Sequence, residues 1–427
     1  MKIKISRIFV AIVSVVSASL FSACSESDGP ANNAEKLLLS RSETEIVLSE
    51  NEFAQRLMVA ISNPDIYDSQ AERPLNYVVS PLSLSMALNM VANGTAGETR
   101  TEILDALGFE STDINDVNAL NGKFLEKFPL IDRTATLTIA NALWVDSSID
   151  GMLRPEYTSC LSDIYSASAT SLDNLSSVES MNEINRWSSN HTNGMVPRVL
   201  SEPLSPQARI ALTNALYFKG IWKERFDKKN TSKKVFKNYD ASESLVDMMY
   251  KEKLSCSAFE DDGYKVAVLE YGNTGFSMFI LLPDPGLDPV EVFSTISKYD
   301  LKELANGYGF LAKLNISLPK FVVETSVDFI PVLKSMGVNK IFEGGDFSHM
   351  WSSSDNSVFG IGLVKQCTKI EVDEDGAKAA STSAISGGFL SPGPIKDLDF
   401  TVDRPFVFGI TETSTGAILF CGVVNKM

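Results

Sequence analysis

The chain has 427 residues, a formal net charge of −16 at pH 7 and 44% apolar residues. That acidic balance argues against a nucleic-acid partner, which demands basic surfaces, while the apolar share is enough for a large buried core. With His191 and His349 as the only histidines, metal and acid–base constellations are sharply limited.

In chain order, Lys2, Lys4 and Arg7 precede an apolar run from Ile8 to Phe21, too short for a spanning helix and typical of an export signal. It ends in Leu20-Phe-Ser-Ala-Cys24, which resembles a bacterial lipobox. The resemblance implies removal of residues 1–23 and lipidation of Cys24; an ordinary signal peptide with an incidental cysteine is the alternative. Residues 24–43 are polar or mixed and read as a tether that lets the remainder stand off the membrane. The expected location is the outer membrane or surface of a Gram-negative cell. Ser25-Glu-Ser-Asp28 leans toward the outer face, and the periplasmic face is the alternative.

Residues 44–427 form the soluble remainder, for which length alone suggests two or three domains. Its first third is helical. Ser49-Glu-Asn-Glu52 has the form of a capping box ahead of Phe53, Leu57 and Ile61. Ser80-Pro81 starts a second helix, filled by Met86, Leu88 and Met90, and Thr99–Leu107 and Val117–Phe128 predict two more. Leu137–Val145 follows as a strand and Pro155–Ala167 as a helix. Strands then dominate: Ile210–Phe218, Lys265–Glu270, Phe276–Leu282, Ala312–Leu318 and Phe406–Ile410, with one helix over Asp328–Met336. Cys160, Cys256, Cys367 and Cys421 are widely and irregularly spaced, and no disulfide is expected among them.

Enzyme signatures are missing: there is no HExxH, GxSxG or Walker loop. Gly307-Tyr-Gly-Phe-Leu-Ala312 matches a dinucleotide fingerprint by letter only, since it follows a helix and precedes a strand. His191 is expected at the surface after a helix, and His349 as a packing residue beside Met350 and Trp351. No cofactor or metal is expected.

The informative stretch lies near the end. Ile370 and Val372 alternate with Lys369 and Glu371, acidic residues lead to Gly376, and a proline-free run of small residues extends to Ser391. In an extended chain Ala377, Ala379, Ser381, Ser383 and Ile385 share one uncharged face, and Lys378 lies on the other. A flexible linker is the bland reading. Yet an uncharged, slender face without proline also permits insertion between strands.

This pattern resembles the reactive loop of the serpin family, and the likeness covers almost the whole chain. Glu374-Asp375-Gly376-Ala377-Lys378-Ala379-Ala380-Ser381-Thr382 resembles the family hinge. Phe400–Ile410 resembles its C-terminal signature and Thr415–Asn425 its closing strand, while Asn76–Met90 and Thr213–Trp222 resemble further family segments, all in family order.

The resemblance implies one α+β domain over 44–427: an N-terminal helical region, a large mixed central sheet, further antiparallel sheets and an exposed reactive loop at about 374–399. It further implies a suicide-substrate inhibitor of serine proteases rather than an enzyme. Ser80, Ser83 and Asn214 match the polar shutter beneath the sheet, and Trp222 the aromatic at its top. Where many members carry histidine, this chain has Gln366, able to donate and accept and thus to link Asn214 with Ser83.

Counting fourteen positions from Gly376 puts the scissile bond at Leu390–Ser391, with Phe389–Leu390 as the alternative. An apolar residue there suits chymotrypsin- and elastase-like proteases; the chain's acidity could also steer cationic partners. The protein is expected to be a monomer. A non-inhibitory member serving as a surface carrier or binding protein is the second reading. A lipid-anchored hydrolase is a third, disfavoured by the missing triad.

Overall fold

The computed structural model describes residues 34–67, 74–150, 153–305, 310–352, 360–376 and 396–427. The signal segment and Cys24 lie outside them. The folded body begins earlier than the sequence suggests. The Ala34 N–H donates to the Asn273 carbonyl at 3.1 Å, the Glu35 N–H to the Ile131 carbonyl at 3.0 Å, and the Leu37 N–H to Ser414 Oγ at 2.9 Å. Residues 34–37 are therefore anchored to the body rather than tether: their partners Ile131, Asn273 and Ser414 lie far along the chain, which no local pattern announces.

The first half contains α1 (Arg41–Ser62), β1 (Tyr77–Val79), α2 (Pro81–Gly94), α3 (Gly97–Leu107), α4 (Ile114–Ile131), β2 (Ala135–Asp146), α5 (Ser147–Asp150), α6 (Pro155–Tyr165), β3 (Ser168–Leu172) and α7 (Val178–His191). Next come β4 (Ile210–Gly220), β5 (Ser232–Lys237), β6 (Glu243–Asp261), β7 (Tyr264–Glu270), β8 (Phe276–Pro283), α8 (Pro289–Thr295) and α9 (Lys298–Ala305). The chain closes with β9 (Phe310–Pro319), β10 (Phe321–Asp328), α10 (Ile330–Ser335), α11 (Lys340–Glu343), β11 (Ile361–Val372), β12 (Lys396–Thr401), β13 (Phe406–Glu412) and β14 (Ile418–Val424).

Two helix starts show how local chemistry sets the boundaries. The capping box expected at Ser49–Glu52 is instead interior to α1, which begins eight residues earlier in the described chain. Ser40 is the true cap: its hydroxyl accepts from the Glu43 N–H, and the Glu43 carboxylate accepts from the Ser40 N–H. Both motifs fit the pattern, and the one backed by residues 34–39 packing on the body prevails. α2 starts as expected, with Ser80 capping and Pro81 in the first turn. Every residue of α2 except Asn93 is buried, as befits a helix apolar nearly all round.

The strands form a nine-stranded sheet, ordered β1-β14-β13-β8-β7-β6-β9-β12 with β5 on β6, and a five-stranded sheet ordered β10-β11-β4-β2-β3. The five-stranded sheet is mixed: β11 and β4 run parallel, as do β2 and β3, whereas β10–β11 and β4–β2 are antiparallel. Parallel neighbours at the centre, each with an antiparallel partner outside, define a symmetrical seam. The long, charge-interrupted strand β6 and the alternating strand β10 are additions to the sequence expectation. β10 buries Phe321, Val323, Thr325 and Val327 and exposes the residues between them. Among the described residues no helix is long and apolar enough to cross a membrane.

Candidate functional site

The seam between β11 and β4 is paired over only part of its length. Its register runs from Ile361–Ile210 to Cys367–Ala215 and stops there. β11 continues to Val372 and remains paired on its outer side with β10; β4 continues to Gly220 and remains paired with β2. Two parallel strand ends thus face each other without a ladder, and a strand antiparallel to both would complete it.

At the limit of the paired part lies a row of amides. Gln366 is opposite Asn214 across the seam, and Asn214 is opposite Asn141 on β2. Gln366 Nε2 donates to Asn214 Oδ1 at 2.8 Å, and Asn214 Nδ2 donates to Asn141 Oδ1 at 2.7 Å and to Ser83 Oγ. The Ser80 N–H donates to Gln366 Oε1 at 2.7 Å, Gln366 Nε2 reaches the Ser80 carbonyl at 3.1 Å, and Ser80 Oγ donates to the Leu419 carbonyl at 2.6 Å. Gln366, Asn214, Ser80 and Ser83 are all buried. The start of α2 is thereby tied to both sides of the seam.

Above the open part, the chain leaving β11 is pinned. Trp222 lies buried, stacked on Tyr271 with ring centroids 4.4 Å apart, and its indole N–H donates to the Asp373 carbonyl at 2.8 Å. The Trp222 N–H donates to the Asp375 carbonyl at 3.2 Å and the Phe226 N–H to the Glu374 carbonyl at 3.1 Å. Buried Glu374 accepts from Lys320 Nζ and from Thr231 Oγ1, each at 2.8 Å. Burial pushes this carboxyl's pKa up, but the bonds from Lys320, backbone and Thr231 prevail and hold it below its ordinary value. Asp375 pairs with Lys228 at 2.9 Å and lies 4.0 Å from Arg225.

Gly376 closes the turn at φ +81°, and a side chain there would put Cβ 2.4 Å from the Trp222 backbone nitrogen. Only glycine fits that approach. Ala377, Lys378, Ala379, Ala380, Ser381, Thr382, Leu390 and Ser391 lie outside the described residues.

The family model described as Serpin (serine protease inhibitor) matches residues 49–427. The chain belongs to the serpin family. It is 33% identical to Iripin-3 of Ixodes ricinus over 357 residues, covering 82% of this chain and 89% of that protein. It is also 32% identical to the leukocyte elastase inhibitor of Xenopus laevis, covering 81% and 92%. Among solved structures, the native thermophilic serpin tengpin superposes with a TM-score of 0.77 at 25% identity, covering 93% of this chain and 97% of that one. Arabidopsis AtSerpin1 in its native stressed conformation also gives 0.77, at 26% identity, covering 91% and 99%. Members of the family are mostly protease inhibitors rather than catalysts.

Within this serpin, the shutter residues expected from sequence do meet, with one difference in wiring. Gln366 reaches Asn214 directly but Ser83 only through Asn214, and it spends its remaining capacity on the Ser80 backbone. Asn141, Thr231, Lys228 and Lys320 complete the site without having been picked out from sequence. Each comes from a strand or turn remote in the chain, and none sits in a motif. His349 is not a packing residue: it is exposed, with Nδ1 2.8 Å from Arg100 Nη2. His191 is exposed at the end of α7, Nδ1 2.8 Å from the Trp187 carbonyl oxygen. Cys256, Cys367 and Cys421 are buried free thiols and Cys160 is half-buried; burial pushes the Cys256 pKa up to about 12. Among the described residues no group of three or more His, Cys, Asp or Glu is placed to hold a metal.

Replacing Gln366 by alanine strips partners from the buried Ser80 N–H and from Asn214 Oδ1. At about 1–3 kcal/mol for each buried group left unpaired, Gln366→Ala should lower the unfolding free energy by at least about 2 kcal/mol, measured by urea denaturation. An unchanged midpoint and slope would show that the amide row does not hold the seam.

Proposed function

We propose that this serpin is a suicide-substrate inhibitor of chymotrypsin- and elastase-like serine proteases. The observation that carries the reading is the unladdered seam between parallel β11 and β4, with a glycine reversal at its head. A chain that left β11 through Gly376 and turned back into the seam would be antiparallel to β11 and, because β4 is parallel to β11, antiparallel to β4 as well. The open part of the seam, residues 368–372 of β11 facing 216–220 of β4, would take the first residues after Gly376, and insertion of the rest toward Leu390 would require the paired part to open.

In this reading the protease serine attacks the Leu390 carbonyl. The Leu390–Ser391 amide breaks, an acyl-enzyme forms on Leu390, and the Ser391 amine leaves with the proton. The freed hinge then enters the seam, uncharged face inward, and carries the protease along before water reaches the ester. About a dozen new ladder bonds at roughly 1 kcal/mol net each are comparable with the ~5–15 kcal/mol stability of a typical domain. That is enough to distort a folded enzyme. Leucine suits a hydrophobic specificity pocket, and Gly387 and Gly388 let the segment bend into a cleft.

Mixing with chymotrypsin should give an SDS-stable complex and a released fragment whose N-terminus is Ser391. A terminus at Leu390 moves the bond to Phe389–Leu390, and cleavage after Lys378 or Lys396 alone overturns the assigned specificity. Fast cleavage without any stable complex would instead favour a non-inhibitory role.

Ala377→Arg should convert the inhibitor into a substrate. The first inward side chain would then carry a charge that must be desolvated without a partner, at several kcal/mol. Insertion slows and deacylation wins. The readout is the number of inhibitor molecules consumed per protease trapped, which should rise at least about tenfold for a barrier raised by ~1.4 kcal/mol or more. An unchanged stoichiometry sinks the insertion account.

We also propose that Cys24 is the lipidated N-terminus of the exported protein, on the strength of the small residues before it and the polar residues after it. Cys24→Ala should move the protein from the membrane fraction to the soluble fraction. Unchanged partitioning refutes the anchor.

A further inference from the structure

Below the seam, α2 carries a second polar group that the inhibitory reading leaves unused. Glu50 of α1 is buried in the helical layer, only 5% exposed. Ser85 Oγ on α2 donates to Glu50 Oε1 at 2.8 Å, and Asn89 Nδ2 donates to the same Ser85 Oγ at 3.3 Å. Two buried oxygens are left over around this hydroxyl, Glu50 Oε2 and Asn89 Oδ1, and neither has a hydrogen-bond partner among the described residues. As a carboxylate, Glu50 would add an uncompensated charge to a site already short of donors.

Among the described residues no cation is paired with it; Lys127 of α4 is paired with Glu126. α2 has no titratable side chain. On the other helices packed against α1, Lys123 is paired with Glu43, Arg100 donates to the Ala92 carbonyl, and Lys334 is paired with Glu343. Within α1, Arg56 donates to the Ala106 carbonyl. The acids Glu98, Asp105, Asp116, Glu126, Glu291, Asp300 and Glu303 are exposed, Glu102 accepts from the Asn339 and Lys340 N–H groups, and Lys302 is half-exposed. Tyr165 of α6 feels the Glu50 charge, and Cys421 lies on β14, which packs on both helices; both are held protonated by burial.

We propose that Glu50 is carried as the neutral acid, its proton serving the Asn89 carbonyl oxygen, and that losing this proton loosens α2 and with it the shutter. One proton turns a surplus acceptor into the missing donor. The link to the seam is α2 itself, since the helix that bears Ser85 and Asn89 also begins at Ser80 and Ser83, tied to Gln366 and Asn214. The assignment goes beyond the inhibitory reading and does not rest on it.

The direction of the pH effect follows. Burial raises the Glu50 pKa from 4.5 to about 8, against a smaller opposing pull from the Ser85 bond. A folded value above the unfolded one means the folded state holds the extra proton. The stability so contributed is complete below the unfolded value and is gone once the pH has risen through about 8.

Glu50→Gln keeps the donor permanently and cannot ionise. Between about pH 5 and 8, the unfolding equilibrium constant of the wild type should climb relative to that of Glu50→Gln by about tenfold per pH unit. Backbone amides of β11 should exchange faster in the wild type than in the variant at alkaline pH, and equally at about pH 5. Parallel stability curves overturn the neutral acid, and a diverging curve with no difference in β11 exchange overturns the coupling to the shutter. Should Glu50→Gln not fold, Glu50→Met, which also cannot ionise, takes its place. Failure of both neutral replacements would show that the charge is required and would equally overturn the proposal.

Discussion

Much of this structure depends on one hydrogen bond between two neutral amides. Gln366 and Asn214 face each other across parallel strands, one position short of where the β11–β4 ladder ends. Below them the backbone ladder closes the sheet. Above them the strands part, and only their outer neighbours hold them. A side-chain contact at that point determines how far the seam opens, because parting the strands further must first break it. Its partners on α2, Ser80 and Ser83, are buried, so opening would also leave the helix start with polar groups short of partners.

The head of the seam is organised differently. There the bonds reach the outgoing chain, at the Asp373, Glu374 and Asp375 carbonyls and at the side chains of Glu374 and Asp375. The Trp222 indole does two jobs, packing on Tyr271 and holding the Asp373 carbonyl. Gly376 can then make a reversal that no side chain would allow. The two ends thus differ in physics: an uncharged lock below, insensitive to salt, and a charged anchorage above, part of it exposed and open to screening. Substituting glutamine where many serpins carry histidine takes a titratable group out of the lower lock. The buried acid on α1 is a separate group, reached through the same helix.

How much was legible without coordinates depended on the range of the interaction. Strand alternation and helix periodicity are written in neighbouring residues, and β4, β7, β8, β13, α2, α3 and α6 fall close to where the pattern places them. The chemistry of the hinge is equally local: Gly376 preceded by acids and followed by small residues is a reversal whose continuation can enter a sheet. So is the apolar character of Leu390. The family likeness extended that reading from patterns to an arrangement, placing Ser80, Ser83, Asn214 and Gln366 together beneath the sheet and Trp222 at its top.

What only the tertiary structure decided is which remote residues complete those local signals. Two capping boxes competed at the start of α1, and the packing of residues 34–39 on Ile131, Asn273 and Ser414 chose Ser40. β6 is too charged to announce itself, and it forms because β9, β7 and β5 supply its edges. Lys320 and Thr231 carry no motif, yet they pair with the Glu374 carboxylate, one by charge and one by a hydrogen bond, because the β9–β10 turn and the entry to β5 arrive beside it. Hydrogen bonds and ion pairs act over a few ångströms in space whatever the separation in the chain. Periodicity therefore foretold the elements and their faces, and the meeting of the strands decided which polar side chains share a partner.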